Sequence, residues 1–286
     1  MNAVSTFSIV ARDPATGDLG VATASKFLAV GAVVPVAQAG VGAVATQSYA
    51  NTSFGPRTLA ALAQGIPLQL IHQAFAQTDV QHALRQYGLV DKDGRSLSFT
   101  GAECHPWAGG VSGDNYAAQG NLLAGPEVID QMVAAFLASR QDFPERLLAA
   151  LSAGDAAGGD KRGRQSAALL VVRQAGGYGG LSDRYLDLRV DDHSDPVAEL
   201  GRLLGLHRLY FEAPKPENRL PITGEVASRL RAVLLRTGYL TDAGDSWDEA
   251  ADQALRRLAG VENLEERLLE PGRVDRVVLE HLEANT

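Results

Sequence analysis

The order of elements read from the sequence predicts an α+β fold. It is a four-layer αββα sandwich, two stacked sheets covered by helices on both outer faces, followed by a small all-α module. Three observations carry this expectation. Helical patterns come in pairs set between runs of strand patterns, an order that suits stacked sheets with outer helices and not a doubly wound βαβ sheet. The 286-residue chain is 45% hydrophobic with few aromatics and 30 glycines, so its core must be aliphatic and its turns tight. After Asp195 strand patterns vanish, helical ones dominate, and half of the 34 acidic residues lie from there onward.

Thr6 to Arg12 alternates as a strand should, and Asp13-Pro-Ala-Thr-Gly-Asp18 supplies turn chemistry after it. Leu19 to Ser25 reads as the return strand of a hairpin. Val33 to Gln38 and Gly40 to Gln47 are two further glycine-punctuated strand candidates. Pro56 fits the first turn of a helix reaching Gln64, where Gly65 and Pro67 interrupt it, and a second helix follows from Leu68 to Gln77. Arg85 to Val90 and Ser96 to Thr100 flank Asp91-Lys-Asp-Gly94, a hairpin signal. Tyr116 to Gly120 is a short strand candidate.

Beyond Pro126, the residues Ile129, Met132, Val133, Phe136 and Leu137 share one helical face. A helix from Pro144 to Ser152 then leads into the glycine-rich stretch Gly154 to Gly163. Ser166 to Val172 and Tyr185 to Val190 complete the strands. Ala213-Pro-Lys-Pro216 reads as a linker, which divides the chain into domains 1–212 and 213–286. In the second domain, helical stripes run through Val226 to Leu234, Trp247 to Leu258 and Val274 to Leu282.

A net charge of −8 argues against nucleic acid, because phosphate binding needs a clustered cationic surface. One cysteine, Cys104, excludes an internal disulfide and a cysteine-based metal cage. Cys104 and His105 invite a metal or thiol reading, but one adjacent pair cannot supply a tetrahedral site; no metal and no cofactor is expected. No apolar run is long enough to span a bilayer, and the N-terminus lacks a signal-peptide pattern, so the expected location is cytoplasmic with no membrane partner. Only four residues are lysines (Lys26, Lys92, Lys161 and Lys215), so the position of each carries information.

Several motifs stand in collinear order: Thr6-Phe-Ser-Ile-Val-Ala-Arg-Asp-Pro, Gly31-Ala-Val-Val-Pro, Gly40-Val-Gly-Ala-Val-Ala-Thr-Gln, Gln119-Gly-Asn-Leu-Leu-Ala-Gly-Pro, Gly158-Gly-Asp-Lys-Arg-Gly-Arg-Gln-Ser-Ala-Ala and Tyr185-Leu-Asp-Leu-Arg-Val-Asp-Asp-His. Together they resemble the domain-of-unknown-function 1028 family. The resemblance spans Val4 to His207 and implies the sandwich of the N-terminal-nucleophile hydrolase-like proteins. The segment from Leu220, with Val226-Ala-Ser-Arg-Leu-Arg, Thr237-Gly-Tyr and Ser246-Trp-Asp-Glu-Ala, resembles a peptidoglycan-binding-like helical module.

The resemblance implies Thr6 as nucleophile, its hydroxyl attacking a carbonyl while its α-amine, when free, serves as base. Five residues, Met1 to Ser5, precede it in the sequence and would leave an amide nitrogen in that place. The plain alternative is a β-branched residue opening a strand. Lys26 is the second catalytic candidate, because a nearby positive charge favours the ionised nucleophile; a lysine snorkelling from a strand end is its alternative. Asp160, Arg162, Arg164, Gln165 and Ser166 form the most polar compact motif, with the arginines suited to clamp a carboxylate. Gln119 and Asn121 are candidate oxyanion donors. Thr46, Gln47 and His105 are further pocket-wall candidates.

The expected function is an amidohydrolase cleaving a C–N bond in a small amide, ureido compound or short peptide. The alternative is an inactive hydrolase-like scaffold that binds a small ligand or a cell-wall-derived glycopeptide. Expected partners are that substrate, a peptidoglycan fragment for the C-terminal module, and a second copy of the chain in a homodimer.

Overall fold

The computed structural model describes residues 6–242, 244 and 246–285. The segment Met1 to Ser5, on which the chemistry expected of Thr6 depends, lies outside the described residues. The chain forms two compact units, Met1–Leu203 and Leu204–Thr286. That division falls inside a helix ahead of the proline-flanked linker. The described residues hold eight α-helices, and their sheets are antiparallel throughout.

In the first unit, β1 (Thr6–Arg12) and β2 (Leu19–Ser25) form the N-terminal hairpin, with Thr6 opposite Ser25. Asp13 closes the turn by accepting from Ala15 N and Thr16 Oγ1, and Gly17 takes φ 80°. Asp18 pairs with Arg173 at 2.6 Å, so both aspartates belong to the turn and its surroundings. β3 (Pro35–Gln38) and β4 (Gly42–Ser48) follow, then α1 (Phe54–Ala63) and α2 (Leu68–Thr78). β5 (Arg85–Asp91) and β6 (Ser96–Thr100) make the second hairpin, in which the Asp91 carboxylate accepts from the Asp93 and Arg95 backbone N–H groups.

β7 (Gly109–Gly113) has no counterpart among the sequence expectations. Its Gly-Gly-Val-Ser-Gly composition has poor strand propensity, and pairing with β8 (Tyr116–Gly120) imposes the extended form. A Cβ at Gly110 would fall 2.3 Å from Ser98 Oγ and 2.7 Å from the Ala118 carbonyl, so glycine is what the packing admits there. α3 (Glu127–Ala138), α4 (Phe143–Ala156), β9 (Ser166–Val172) and β10 (Arg184–Val190) complete the layers.

The six-stranded sheet has the order β10-β9-β2-β1-β8-β7 and the four-stranded sheet β3-β4-β5-β6. The sheets face each other, with α3 and α4 packed on the first and α1 and α2 on the second. Between them lies an aliphatic core that includes Val10, Val21, Val34, Ala45, Val90 and Leu170, all buried. Under α1 and α2 the core is aromatic: Phe54 stacks on Phe75 at 3.8 Å, and Tyr87 meets both edge-on.

Tyr87 also anchors two half-buried imidazoles, with His72 Nδ1 at 2.7 Å and His82 Nε2 at 2.9 Å from its hydroxyl. The hydroxyl has one proton, so one ring accepts it and the other donates its N–H to the oxygen. Burial pushes the Tyr87 phenol up and both imidazoles below their ordinary 6.5. Below pH 6.5 the unfolded chain binds protons that the folded chain resists. Stability present above that pH is therefore lost as pH falls through the lowered folded values. Replacing His72 by Gln is expected to flatten the decline of Tm with acidification; a decline as steep as that of the unaltered protein would exclude the pair as its source.

The second unit is less purely helical than expected. The end of α5 (Pro196–Phe211), α6 (Gly224–Arg236), α7 (Glu249–Val261) and α8 (Arg276–Asn285) surround a leucine-rich core with Leu230, Leu234, Leu255, Leu258 and Leu279. β11 (Arg219–Pro221) and β12 (Arg273–Asp275) form a two-stranded ribbon, which corrects the all-α expectation. Three residues are too few for a period-of-two signal. A buried ion pair fixes the ribbon, Arg267 Nη1 donating to Asp275 Oδ2 at 2.7 Å. Arg267 also donates to the Leu209 and Arg208 carbonyls. Asp248 caps α7 through Ala251 N at 2.8 Å.

Candidate functional site

Side chains alternate across a strand, so a polar residue at a core-facing position must find a partner between the sheets. Two cross-strand pairs meet there: Ser8 of β1 opposite Gln119 of β8, and Gln47 of β4 opposite Gln86 of β5. All four are fully buried. Ser8 Oγ donates to Gln47 Oε1 at 2.6 Å and accepts from Gln119 Nε2 at 2.6 Å. Gln47 Nε2 donates to the Thr6 carbonyl at 3.1 Å, to Gln86 Oε1 at 2.8 Å and to the Gln119 carbonyl at 3.3 Å. Gln86 Nε2 reaches Thr100 Oγ1 and the Gly109 and Gly120 carbonyls, and its Oε1 also accepts from Asn121 Nδ2 at 2.9 Å. Gly88 lets Gln119 lie across β5, since a Cβ there would fall 2.1 Å from Gln119 Oε1.

This network holds the start of β1. The Thr6 carbonyl accepts from Asn121 N at 3.0 Å as well as from Gln47, and Thr6 is itself fully buried. Gln119 and Asn121 thus sit beside Thr6, but the Gln119 amide donates to Ser8 and not toward an oxyanion, and Asn121 Nδ2 serves Gln86. Thr46 is buried at the end of β4, with Oγ1 3.5 Å from the Asn51 carbonyl.

Three loops converge on the same end of β1. Leu122 N donates to the His105 carbonyl, Leu123 N to Trp107, Lys161 N to Leu122 and Ala124 N to Gly159. The glycines make the 158–163 turn: Gly158, Gly159 and Gly163 have φ 109°, 47° and 110°. Asp160 is the loop's buried anchor, 4% exposed, and accepts from Lys26 N at 3.0 Å. Gln165 N donates to the Ser25 carbonyl and its side chain to Asp192 at 3.1 Å. Ser166 Oγ accepts from Val30 N and donates to the Phe27 carbonyl, fixing the turn after β2.

The arginines differ from their expected use. Arg162 closes its fork on Asp160, Nε to Oδ1 at 3.0 Å and Nη2 to Oδ2 at 2.7 Å. Arg164 does the same on Asp155 at 2.9 and 2.8 Å, and that hydrogen bond raises its pKa. Two-residue spacing lets the first fork fold back on its own loop, so neither guanidinium is a ready-made clamp for a ligand. Lys26 is exposed, and its ammonium donates to the Arg164 carbonyl at 3.1 Å. His105 is exposed, its ring 6.0 Å from that of Tyr49. Cys104 is buried, which pushes its thiol pKa up and away from nucleophile chemistry.

The sheet order, the inter-sheet polar network and the glycine-built loop at the start of β1 define a mixed α/β protein with a polar centre at one strand end. Residues 6–200 match the family described as "Family of unknown function (DUF1028)", and the chain belongs to that family. Residues 210–282 match the family described as "Putative peptidoglycan binding domain". Among solved structures, the chain is similar to the crystal structure of protein SPO2555 from Silicibacter pomeroyi, also of DUF1028. The two are 32% identical with a TM-score of 0.65, over 78% of this chain and 92% of that one. No curated protein matches the chain. No helix among the described residues is long and apolar enough to cross a membrane.

Proposed function

We propose that the first unit is an amidohydrolase of the N-terminal-nucleophile kind, built on the four-layer αββα sandwich of those proteins, with Thr6 as nucleophile. One observation carries the reading. Thr6 begins the central hairpin where three loops converge, and its carbonyl is held by two buried amide donors, Gln47 Nε2 and Asn121 N. Such fixing is what a nucleophile needs, because a misplacement of about 1 Å costs about a hundredfold in rate.

In the proposed reaction the free α-amine of Thr6 takes the hydroxyl proton as Oγ1 attacks the amide carbon. The C–N bond breaks, the departing nitrogen receives that proton, and an ester on Thr6 remains. Water then attacks the ester, its proton passing through the amine to Thr6 Oγ1, and the acid is released. In this reading the positive charge of Lys26, one residue beyond the partner of Thr6 in the hairpin, favours the ionised form of the nucleophile. For the second unit, the family match supports binding of a peptidoglycan fragment.

The test is release of amine from a panel of small amides, ureido acids and short peptides by the purified full chain. Turnover of any member that Thr6→Ala removes supports the reading; turnover that survives Thr6→Ala overturns it. A non-catalytic scaffold that binds a small ligand is the second reading. It is favoured by the complete burial of Thr6 and the five residues that precede it in the sequence.

A further inference from the structure

The 158–165 loop carries three cations, and their partners differ in kind. Arg162 faces the loop's own Asp160, and Arg164 faces Asp155 in the last turn of α4. Lys161 differs: its ammonium crosses to the neighbouring loop and donates to the Pro106 carbonyl at 2.8 Å, with no carboxylate partner among the described residues. The side chain is exposed, while its backbone is fixed by the bond from Lys161 N to the Leu122 carbonyl at 3.0 Å. Leu122 follows Asn121, whose N–H holds the Thr6 carbonyl. A positioned ammonium with one neutral partner and two further donors therefore stands against the loop of His105 and Pro106, close in the hydrogen-bond chain to the candidate nucleophile.

A lysine that only served solubility would not need this placement, in a chain with four lysines and a net charge of −8. From these observations we infer that Lys161 is a specificity-determining residue that pairs with a carboxylate on the substrate. This rests on the Thr6-centred reading for the location of the bound amide, and it narrows the substrate to acylated amino acids or ureido acids with a free acid group. The ammonium keeps its bond to the Pro106 carbonyl and adds a charge-assisted one to the ligand. A carboxylate matches the charge that the neighbouring acids, Asp160 and Asp155, leave uncompensated on Lys161.

The experiment uses N-acetyl derivatives of the common amino acids, each as the free acid and as the carboxamide, and measures binding to the full chain by calorimetry. At least one free acid is expected to bind about ten- to a hundredfold more tightly than its carboxamide, the size of a charge-assisted hydrogen bond. Lys161→Gln should abolish that preference, Lys161→Arg should retain most of it, and an unchanged melting temperature shows that the fold is intact. Equal binding of acid and amide, no binding by any acid, or an undiminished preference in Lys161→Gln overturns the proposal. Turnover is read separately by amine release. Acids that bind through Lys161 without being hydrolysed leave the carboxylate site standing and remove the hydrolase reading alone; turnover of carboxamides at an equal kcat/KM does the reverse.

Discussion

Thr6→Ala is expected to lower kcat by about ten-thousand-fold or more, the loss typical of deleting a nucleophile that forms a covalent intermediate. Thr6→Ser is expected to retain measurable turnover, because the hydroxyl remains. The pair of variants separates chemistry from structure. Thr6 starts β1 and is fully buried, so a purely structural role would show as a fall in Tm with alanine and a similar, smaller fall with serine. A catalytic role shows in kcat while the melting curves of the folded variants stay close. Equal activity in Thr6→Ala and the unaltered protein would remove Thr6 from the mechanism.

Gln86→Leu is expected to destabilise the first unit by about 4 kcal/mol and lower its Tm by roughly 10 °C in calorimetry. Leucine fills much of the same space but makes none of the five hydrogen bonds. The amides of Gln47 and Asn121 lose their shared acceptor, and the Gly109 and Gly120 carbonyls lose a donor between the sheets. Thr100→Val removes just one of these partners and should cost about 1 kcal/mol. Gln86→Leu should also depress kcat, since Gln47 and Asn121 are the two residues that hold the Thr6 carbonyl. A melting temperature unchanged by Gln86→Leu would show that the network is not what joins the sheets at this end.

These two residues also mark what the sequence disclosed. Thr6 is visible because it opens a strand inside a family motif. Gln47, Gln119 and Asn121 are visible because they too lie in family motifs, and the structure gathers all three around the Thr6 carbonyl. Ser8 and Gln86 escaped, although each had a signal. Ser8 shares a strand face with Thr6 by the period of two, and Gln86 is a lone amide entering the apolar run Tyr87 to Val90. A polar residue on a core-facing position requires a partner, but one strand does not say which, because the partners come from other strands, in its own sheet and in the facing one. The arginine fork shows the opposite limit. Arg162 and Arg164 look available for a ligand until the fold places Asp160 and Asp155 within reach of their forks.

The fold was legible to a similar depth. Turns with Asp, Pro and Gly announce the β1–β2 and β5–β6 hairpins, since their chemistry is local. β7 and the β11–β12 ribbon are not announced. Their extended form is imposed by neighbours: by β8 and the close approach of Ser98 for β7, and by mutual pairing with the Arg267–Asp275 bridge for the ribbon.

The proposed mechanism requires a threonine whose amine is free. Intact-mass spectrometry of the purified, active protein tests this most directly. The expected result is a chain that begins at Thr6, carrying an acyl adduct on that residue when the reaction is quenched during turnover. A homogeneous, fully active chain that still contains residues ahead of Thr6, with no adduct at any time, would contradict it.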